Sequence, residues 1–171
     1  VALKNTLFEE FKGRVDEKEV SVPWTENGYE YSWFYESGQN YRNWLRRDLT
    51  TGEESVFLNE SSLAKEHDYF VLSDWVVSPD NRLLAYTVDT TGDEKYQLFI
   101  KDLKTGLMLG DTLTNVSGEL VFSSDSNAVI YGQLQQDRWR TESIKMHTLG
   151  TDVSKDKVLF ADQDDGYFLS F

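Results

Sequence analysis

The chain has 171 residues, of which 39% are hydrophobic and 14% aromatic, a proportion that excludes wholesale disorder. Thirty acidic residues against seventeen basic ones give a formal net charge of −13, which would repel a phosphate backbone and excludes nucleic acid as an expected partner. There is no cysteine and there are two histidines, so a disulfide framework is excluded and a typical zinc site is not expected.

A short amphipathic helix is predicted at the start of the chain, over residues 2–19. Apolar residues recur there at three- and four-residue spacing, with charged residues between them. They are Leu3, Leu7, Phe8, Phe11 and Val15. After Val22–Pro23 the period of the pattern changes to two, which is typical of strands. We therefore assign residues 1–20 to a helical lead-in segment.

Three short strands are predicted in the next part of the chain. Aromatic and polar residues alternate over 29–35, and a turn at 37–40 follows. The second strand covers 44–49 and the third covers 55–58, with turn residues at 50–53 between them. The same order of strands and turns then recurs twice. The further strands are predicted at 75–77, 83–88, 96–101, 107–109, 119–122, 128–133, 143–146 and 158–160.

The spacing of equivalent residues makes these recurrences a repeat. Asp80 and Asp125 are 45 residues apart, and so are Tyr86 and Tyr131. Repeats of about 40–50 residues with four short strands are the signature of β-propeller blades. The prediction is an all-β fragment of a β-propeller, with about three four-stranded antiparallel blades at roughly 21–68, 69–115 and 116–171. The alternative is an ordinary β-sandwich in which the recurrence is accidental.

Three blades do not close a ring, since propellers typically have four to eight. The last strand would then leave backbone donors and acceptors exposed at an open edge. We expect the chain to be part of a longer protein, with edge-to-edge self-association of two copies as the alternative.

Several stretches carry a resemblance to a known family. The segment 7–15, with the strand entry at Val22–Pro23, is similar to the lead-in of its propeller, and the stretches 68–70, 78–89, 92–96 and 101–106 are similar to its blades. On these residues the chain resembles the oligopeptidase B (protease II) group of the prolyl oligopeptidase family of serine peptidases. It departs from the family pattern at 44–47 and at 135–140.

The resemblance implies a function as well as a fold. Members of this family join a seven-bladed, unclosed propeller to an α/β-hydrolase domain, and the propeller shields the active site so that short peptides enter and folded proteins do not. The implied partners are the C-terminal α/β-hydrolase catalytic domain of the same protein and short basic peptides, with cleavage after Lys or Arg.

No catalytic residue is predicted within the chain itself. A hydrolase of this kind needs its serine in a Gly-x-Ser-x-Gly elbow, and that pentapeptide does not occur in the sequence. Ser117 precedes Gly118, but Asn115 stands where the first glycine is required. We expect the chain alone to be inactive and to use no cofactor and no metal. A non-catalytic, propeller-type protein-binding module is the alternative function.

Three acidic residues are candidates for steering a basic substrate: Asp89, Asp93 and Glu94 lie in one predicted loop. The alternative is that the acidity only keeps the protein soluble. Asp80 and Asp125, at matching blade positions, are expected to cap turns instead.

The tryptophans and the ends of the chain complete the sequence predictions. Trp33 and Trp75 are expected to pack between blades, whereas Trp139 could pack or bind ligand. The segment 162–166 is interpreted as an acidic turn rather than a calcium loop. There is no run of eighteen apolar residues and no signal-like N-terminus, so we expect a cytoplasmic protein without membrane contact.

Overall fold

The computed structural model describes residues 2–15, 19–162, 164 and 166–171. Within them, the strands form a four-stranded and a seven-stranded sheet, and every strand pairing is antiparallel. The chain divides into two compact units, a first one up to Lys65 and a second one from Glu66. The all-β prediction is confirmed.

The first unit begins with helix α1 (Ala2–Lys12). The prediction of a helix over 2–19 is wrong beyond Lys12, and residues 16–18 lie outside the described residues. Gly13 has low helix propensity and still donates to the Glu9 carbonyl at 2.9 Å, but Arg14 bonds to the Phe11 carbonyl, three residues back. The helix therefore tightens into a turn and ends.

The four-stranded sheet of the first unit has the order β1-β2-β3-β4. Its strands are β1 (Trp24–Glu26), β2 (Tyr29–Tyr35), β3 (Arg42–Asp48) and β4 (Glu54–Asn59), and helix α2 (Glu60–Ala64) follows. The sequence predicted β2, β3 and β4 but missed β1 and α2. Helix α2 begins because the Asn59 side chain accepts the Ser62 N–H at 2.6 Å, which caps the first turn.

The seven-stranded sheet of the second unit has the order β11-β10-β9-β8-β7-β6-β5. Its strands are β5 (Val71–Val77), β6 (Leu83–Asp89), β7 (Tyr96–Asp102), β8 (Met108–Phe122), β9 (Ala128–Leu134), β10 (Thr141–Thr148) and β11 (Lys157–Ala161), with a 3₁₀ turn at Val153–Lys155. Each predicted strand of this region corresponds to part of one of these elements.

Strand β8 is longer than the sequence predicted. The sequence predicted separate strands at 107–109 and 119–122, whereas one strand runs through Met108–Phe122. Its first part pairs with β7 as far as Val116, and its second part pairs with β9 from Val116 onward. Asn115 has a positive φ of 56° and the register shifts between Val116 and Leu120, so the chain turns back on itself where the strand changes partner.

Because β8 is shared, the seven strands make two four-stranded meanders. We call them the β5–β8 meander and the β8–β11 meander. The division of the chain into blades at 21–68, 69–115 and 116–171 stays a prediction, and its last boundary falls inside the shared strand.

The core of the second unit lies along the middle strands of these meanders. Every residue of β6 is buried, and Leu84, Leu98, Ile100, Val116 and Val129 have no exposed surface. Thr87 is a buried polar residue of β6, and its hydroxyl is satisfied because it donates to the Gly118 carbonyl at 2.8 Å. The main apolar cluster consists of Leu83, Ala85, Leu98, Ile100, Leu113, Val116, Leu120, Phe122, Val129 and Tyr131.

Two glycines allow the chain to pack closely around β8. A Cβ at Gly118 would collide with the Ser73 hydroxyl, and a Cβ at Gly132 would collide with the Ser117 hydroxyl and lie 2.9 Å from Thr141 Cγ2. Neither glycine needs a positive φ, so space rather than backbone conformation requires them.

We expect Gly132→Ala to lower the free energy of unfolding by about 1–3 kcal/mol, because the added methyl group overpacks a closed site. Gly110→Ala is the matched control, since Gly110 also lies in a strand but nothing is within 4 Å of its would-be Cβ. That control should change stability by less than about 1 kcal/mol in either direction. Urea unfolding of both variants measures the difference, and equal effects would show that Gly132 is not in a tight site.

Candidate functional site

The three predicted steering residues lie together at the β6–β7 hairpin. Asp89 ends β6 and is 2% exposed, whereas Asp93 and Glu94 are exposed in the loop at 90–95. The structure therefore brings all three into one loop but gives them different surroundings. Their steering role stays a prediction.

Asp89 organises the backbone of this loop. Its Oδ1 accepts the N–H groups of Thr91 at 2.8 Å and Gly92 at 2.9 Å, and its Oδ2 accepts the N–H of Glu94 at 2.9 Å. Gly92 and Glu94 both have positive φ, so the side chain stabilises a turn that is strained at Glu94. Burial by itself raises the pKa of Asp89, but these backbone hydrogen bonds outweigh it and lower the pKa below its ordinary value. Asp89 is thus a buried, ionised turn residue.

Asp93 and Glu94 are the carboxylates of the loop that a ligand in solution could reach. The Thr91 hydroxyl lies 2.6 Å from Asp93 Oδ1 and 3.0 Å from Asp89 Oδ1. Since a hydroxyl has one proton, it donates to one of these carboxylates at a time. The Lys95 N–H also approaches Asp93 Oδ1 at 3.3 Å, so that the carboxylate is held over the loop.

The β9–β10 loop, at 135–140, lies against this one. The indole N–H of Trp139 donates to the Asp93 carbonyl, and the Lys95 ammonium donates to the Gln136 carbonyl at 2.9 Å. We call residues 90–95 and 135–140 the paired loops. Trp139 remains 64% exposed, so it is a surface residue and not the packed one that the sequence left as a possibility. The sequence could not pair the loops because their contacting residues are 46 positions apart.

The paired loops occupy one end of both meanders. Each loop follows the second strand of its meander, and Val116, where β8 turns back, pairs with the start of β7 and the end of β9 beside these loops. The β5–β6 and β8–β9 turns meet at the other end, where the Asp80 N–H donates to the Ser126 hydroxyl. One end thus presents Asp93, Glu94, Asp137, Arg138 and Trp139 to solvent.

Asp80 and Asp125 lie in turns at the opposite end, as the sequence predicts. Asp80 accepts the Ser78 hydroxyl and the Arg82 N–H, and Asp125 accepts the Ser123 hydroxyl and the Asn127 N–H. The hydroxyl bonds are the main cause that lowers the pKa of each carboxyl. Their predicted role as turn caps is confirmed.

Two tryptophans that the sequence assigned to packing are half-buried. Trp33 lies on β2 beside Tyr35, at 5.5 Å between ring centroids, and the Arg42 guanidinium is 4.8 Å from its ring. Trp75 lies on β5 opposite Tyr86. The Trp33 ring thus contacts residues of its own sheet.

The two histidines lie in different surroundings. Both ring nitrogens of His147 are within 3.0 Å of a carboxylate oxygen, of Asp156 and Asp111 respectively, and His67 is exposed at the surface. In the described part of the chain, no three His, Asp or Glu side chains are grouped so as to hold a metal ion. Of the acidic segment at 162–166, Gln163 and Asp165 lie outside the described residues.

None of the helices within the described ranges combines the length and the apolar character that crossing a membrane requires. Helix α1 nevertheless carries an exposed apolar stripe. Its members are 42–70% exposed and are Leu3, Leu7, Phe8 and Phe11, with Val15 just beyond the helix. The cleft beside it has a volume of about 550 Å³ and is lined by Lys12, Val15, Glu19, Tyr35 and residues 38–40.

Comparison with known proteins gives a consistent result. The family model described as "Prolyl oligopeptidase, N-terminal beta-propeller domain" matches residues 1–171. Dipeptidyl aminopeptidase BI of Pseudoxanthomonas mexicana is 32% identical over 98% of this chain, and Protease 2 of Moraxella lacunata is 28% identical over 95%. The chain spans 25% of the length of each of these relatives.

Solved structures show the same fold. Oligopeptidase B from Leishmania major superposes with a TM-score of 0.88 at 21% identity, covering 96% of this chain and 24% of that one. Oligopeptidase B from Trypanosoma brucei, with covalently bound antipain, superposes with a TM-score of 0.83 at 25% identity, covering 95% and 23%. The β-propeller prediction is confirmed and the β-sandwich alternative is wrong.

Proposed function

This chain belongs to the prolyl oligopeptidase family, as its N-terminal β-propeller domain, and we propose that it controls substrate access in a serine-type oligopeptidase whose chemistry occurs elsewhere in a longer protein. The observation that carries the proposal is the match of all 171 residues to the propeller model, combined with the chain's quarter share of its relatives' length. The resemblance predicted from the sequence is thereby confirmed at the level of the family.

The proposed division of labour rests on what the chain's own residues do. Two of its buried ionisable groups are committed to structure: Asp89 holds a loop and His147 is enclosed by two carboxylates. Serine-type peptide hydrolysis needs a nucleophile, a base and an oxyanion site in one place. We assign these groups to a C-terminal α/β-hydrolase domain, which the sequence resemblance implies.

The apolar stripe of helix α1 supports contact with such a partner domain. Large side chains at 42–70% exposure, at helical spacing, form a patch of the kind that marks an interface. In the longer protein we propose that the catalytic domain covers this stripe, with Phe8 and Phe11 as its most bulky members.

The paired loops support the proposed preference for basic peptides. Asp93 and Glu94 are exposed carboxylates next to the exposed ring of Trp139, and a net charge of −13 adds a general attraction for cations. Asp89 contributes its charge from within the structure but is not available for contact. Cleavage after Lys or Arg is proposed on this basis and on the resemblance to the oligopeptidase B group.

A second specificity is favoured by one observation. The relative at 32% identity is named a dipeptidyl aminopeptidase, an enzyme type that removes two residues from a free N-terminus. Comparing one peptide with a free and an acetylated N-terminus would separate this candidate from an endopeptidase. A non-catalytic binding module remains the alternative of a different class, and a longer reading frame with Gly-x-Ser-x-Gly would exclude it.

Other expectations about partners and location stay predictions. They are a cytoplasmic location, the lack of membrane and nucleic-acid partners, and self-association through β11. The last of these has some support, because Val158, Leu159 and Phe160 on that edge strand are 43–55% exposed.

We expect the 171-residue chain alone not to hydrolyse a fluorogenic arginyl peptide, because it lacks a serine nucleophile in an elbow. Fluorescence release with purified chain measures this, with a full-length family member as the positive control. Turnover that a serine-reactive phosphonate abolishes would contradict the proposal.

We expect the double variant Asp93→Asn/Glu94→Gln, made in the longer peptidase that contains this chain, to lower kcat/KM for a cationic peptide about two- to fivefold at low ionic strength. The loss should disappear near 0.5 M salt, where the Debye length is on the order of 4 Å. Asn and Gln keep the shapes of the side chains, so the loop bonds are preserved.

The control for this variant is Glu53→Gln/Glu54→Gln, which removes the same charge from two exposed residues at the start of β4 in the first unit. A neutral peptide of equal length is the second control. Unchanged kinetics with the cationic peptide at low ionic strength would remove the steering role, while leaving the access role in place.

A further inference from the structure

His147 is a fully buried titratable side chain of the second unit. It lies on β10 and has no exposed surface. Its Nδ1 is 2.7 Å from Asp156 Oδ1, and its Nε2 is 3.0 Å from Asp111 Oδ1. Both carboxylates are nearly inaccessible as well, with side-chain exposures of 3% and 6%.

The remaining partners of these carboxylates show that both act as hydrogen-bond acceptors. The Tyr131 hydroxyl lies 2.7 Å from Asp156 Oδ2, and the Gly150 N–H donates to Asp111 Oδ1 at 2.6 Å. A neutral imidazole has one N–H and one lone pair, so it would turn a lone pair toward one of the two carboxylates. An imidazolium donates to both, which satisfies every group in the cluster.

The cluster also joins two parts of the sheet that backbone pairing links only through β8. Asp111 lies in the part of β8 that pairs with β7, whereas His147 and Tyr131 lie on β10 and β9. Asp156 follows the 3₁₀ turn that leads into β11. The bond from His147 to Asp111 therefore crosses from the β8–β11 meander to the β5–β8 meander.

We propose that His147 is a buried imidazolium that fastens the two meanders to each other, and that loss of its proton loosens this joint. The joint lies beside a cleft of about 390 Å³ between the same strands, lined in part by Leu109, Gly110, Asp111, Leu149 and Gly150. This proposal is independent of the steering role and the access role proposed above.

The electrostatic surroundings agree with a protonated ring. Burial by itself lowers the pKa of His147, but the hydrogen bonds to Asp111 and Asp156, together with their negative charges, outweigh burial and raise the pKa above its ordinary value. Burial and the bond to Asp156 raise the pKa of the Tyr131 phenol, so it remains a donor. Asp80 and Arg82 line the adjoining cleft, one acidic and one basic.

The sign of the pH effect follows from this direction. A group whose pKa is higher in the folded than in the unfolded chain stabilises the fold fully below its unfolded pKa, which for histidine is about 6.5. That stabilisation is lost as the pH rises through the folded pKa. The joint is therefore expected to be tight in mildly acidic solution and to weaken at alkaline pH.

Nitrogen-15 NMR of the imidazoles in the chain tests the proposal directly. His67→Gln removes the other histidine signal, so the remaining one belongs to His147. We expect both ring nitrogens to be protonated at pH 7, with a deprotonation midpoint above that of the same signal in the urea-unfolded chain. A neutral tautomer at pH 7, or a midpoint at or below the unfolded one, would overturn the proposal.

Urea unfolding from pH 5.5 to 9 supplies a second readout. The stability advantage of the wild type over His147→Asn should be largest at the acidic end and shrink toward pH 9. Tyr131→Phe is the control, since it removes a donor to Asp156 but leaves the imidazole. Its free energy of unfolding should change with pH as that of the wild type does. An advantage over His147→Asn that is constant with pH would contradict a titrating joint. If His147→Asn does not fold, the NMR titration of the His67→Gln chain still decides.

Discussion

Strand β8 is the element on which the second unit depends, because one continuous strand supplies pairing to both meanders. Its first part is bound to β7 and its second to β9, so neither meander can shift without disturbing the other. Leu113, Val116 and Leu120 put the shared strand into the main apolar cluster. Gly118 lets it pass Ser73 closely, and Asp111 adds the charged contact with His147. In a propeller built of such shared strands, each blade is held to its neighbour by a common strand.

Several of the chain's carboxylates have a structural use, which reduces the number that a ligand could contact. Asp48 and Asp102 each accept two backbone N–H groups in equivalent hairpin turns, and Asp89 accepts three. These carboxylates stabilise the turns because they accept hydrogen bonds from backbone N–H groups that have no partner within the turn. The charges that remain free to meet a ligand are fewer than the composition suggests. Those at the paired loops are notable because an exposed tryptophan lies beside them.

The strands and turns could be predicted from the sequence because their signals are local. Alternation over Tyr29–Tyr35 and the Ser-Pro-Asp-Asn turn before Leu83 each fix an element within a few residues. The change of partner within β8 could not be predicted, since it depends on pairing with β7 and β9 rather than on a local residue pattern. The end of α1 at Lys12 was not predicted, because the apolar pattern continues past Gly13 although the helix does not. The contact of Trp139 with Asp93 joins residues 46 positions apart and that of His147 with Asp111 joins residues 36 positions apart, where a single sequence carries no pairing signal.

We propose that this chain restricts which substrates reach a catalytic site located elsewhere. The most direct measurement is kcat/KM of the longer peptidase for one cleavable segment presented in peptides of increasing length and within a folded protein. We expect kcat/KM to fall as the substrate grows longer. The folded protein should not be cleaved, whereas fragments of the same protein, made after unfolding it, should be. Equal rates for the short peptide and for the exposed loop of a folded protein would contradict it.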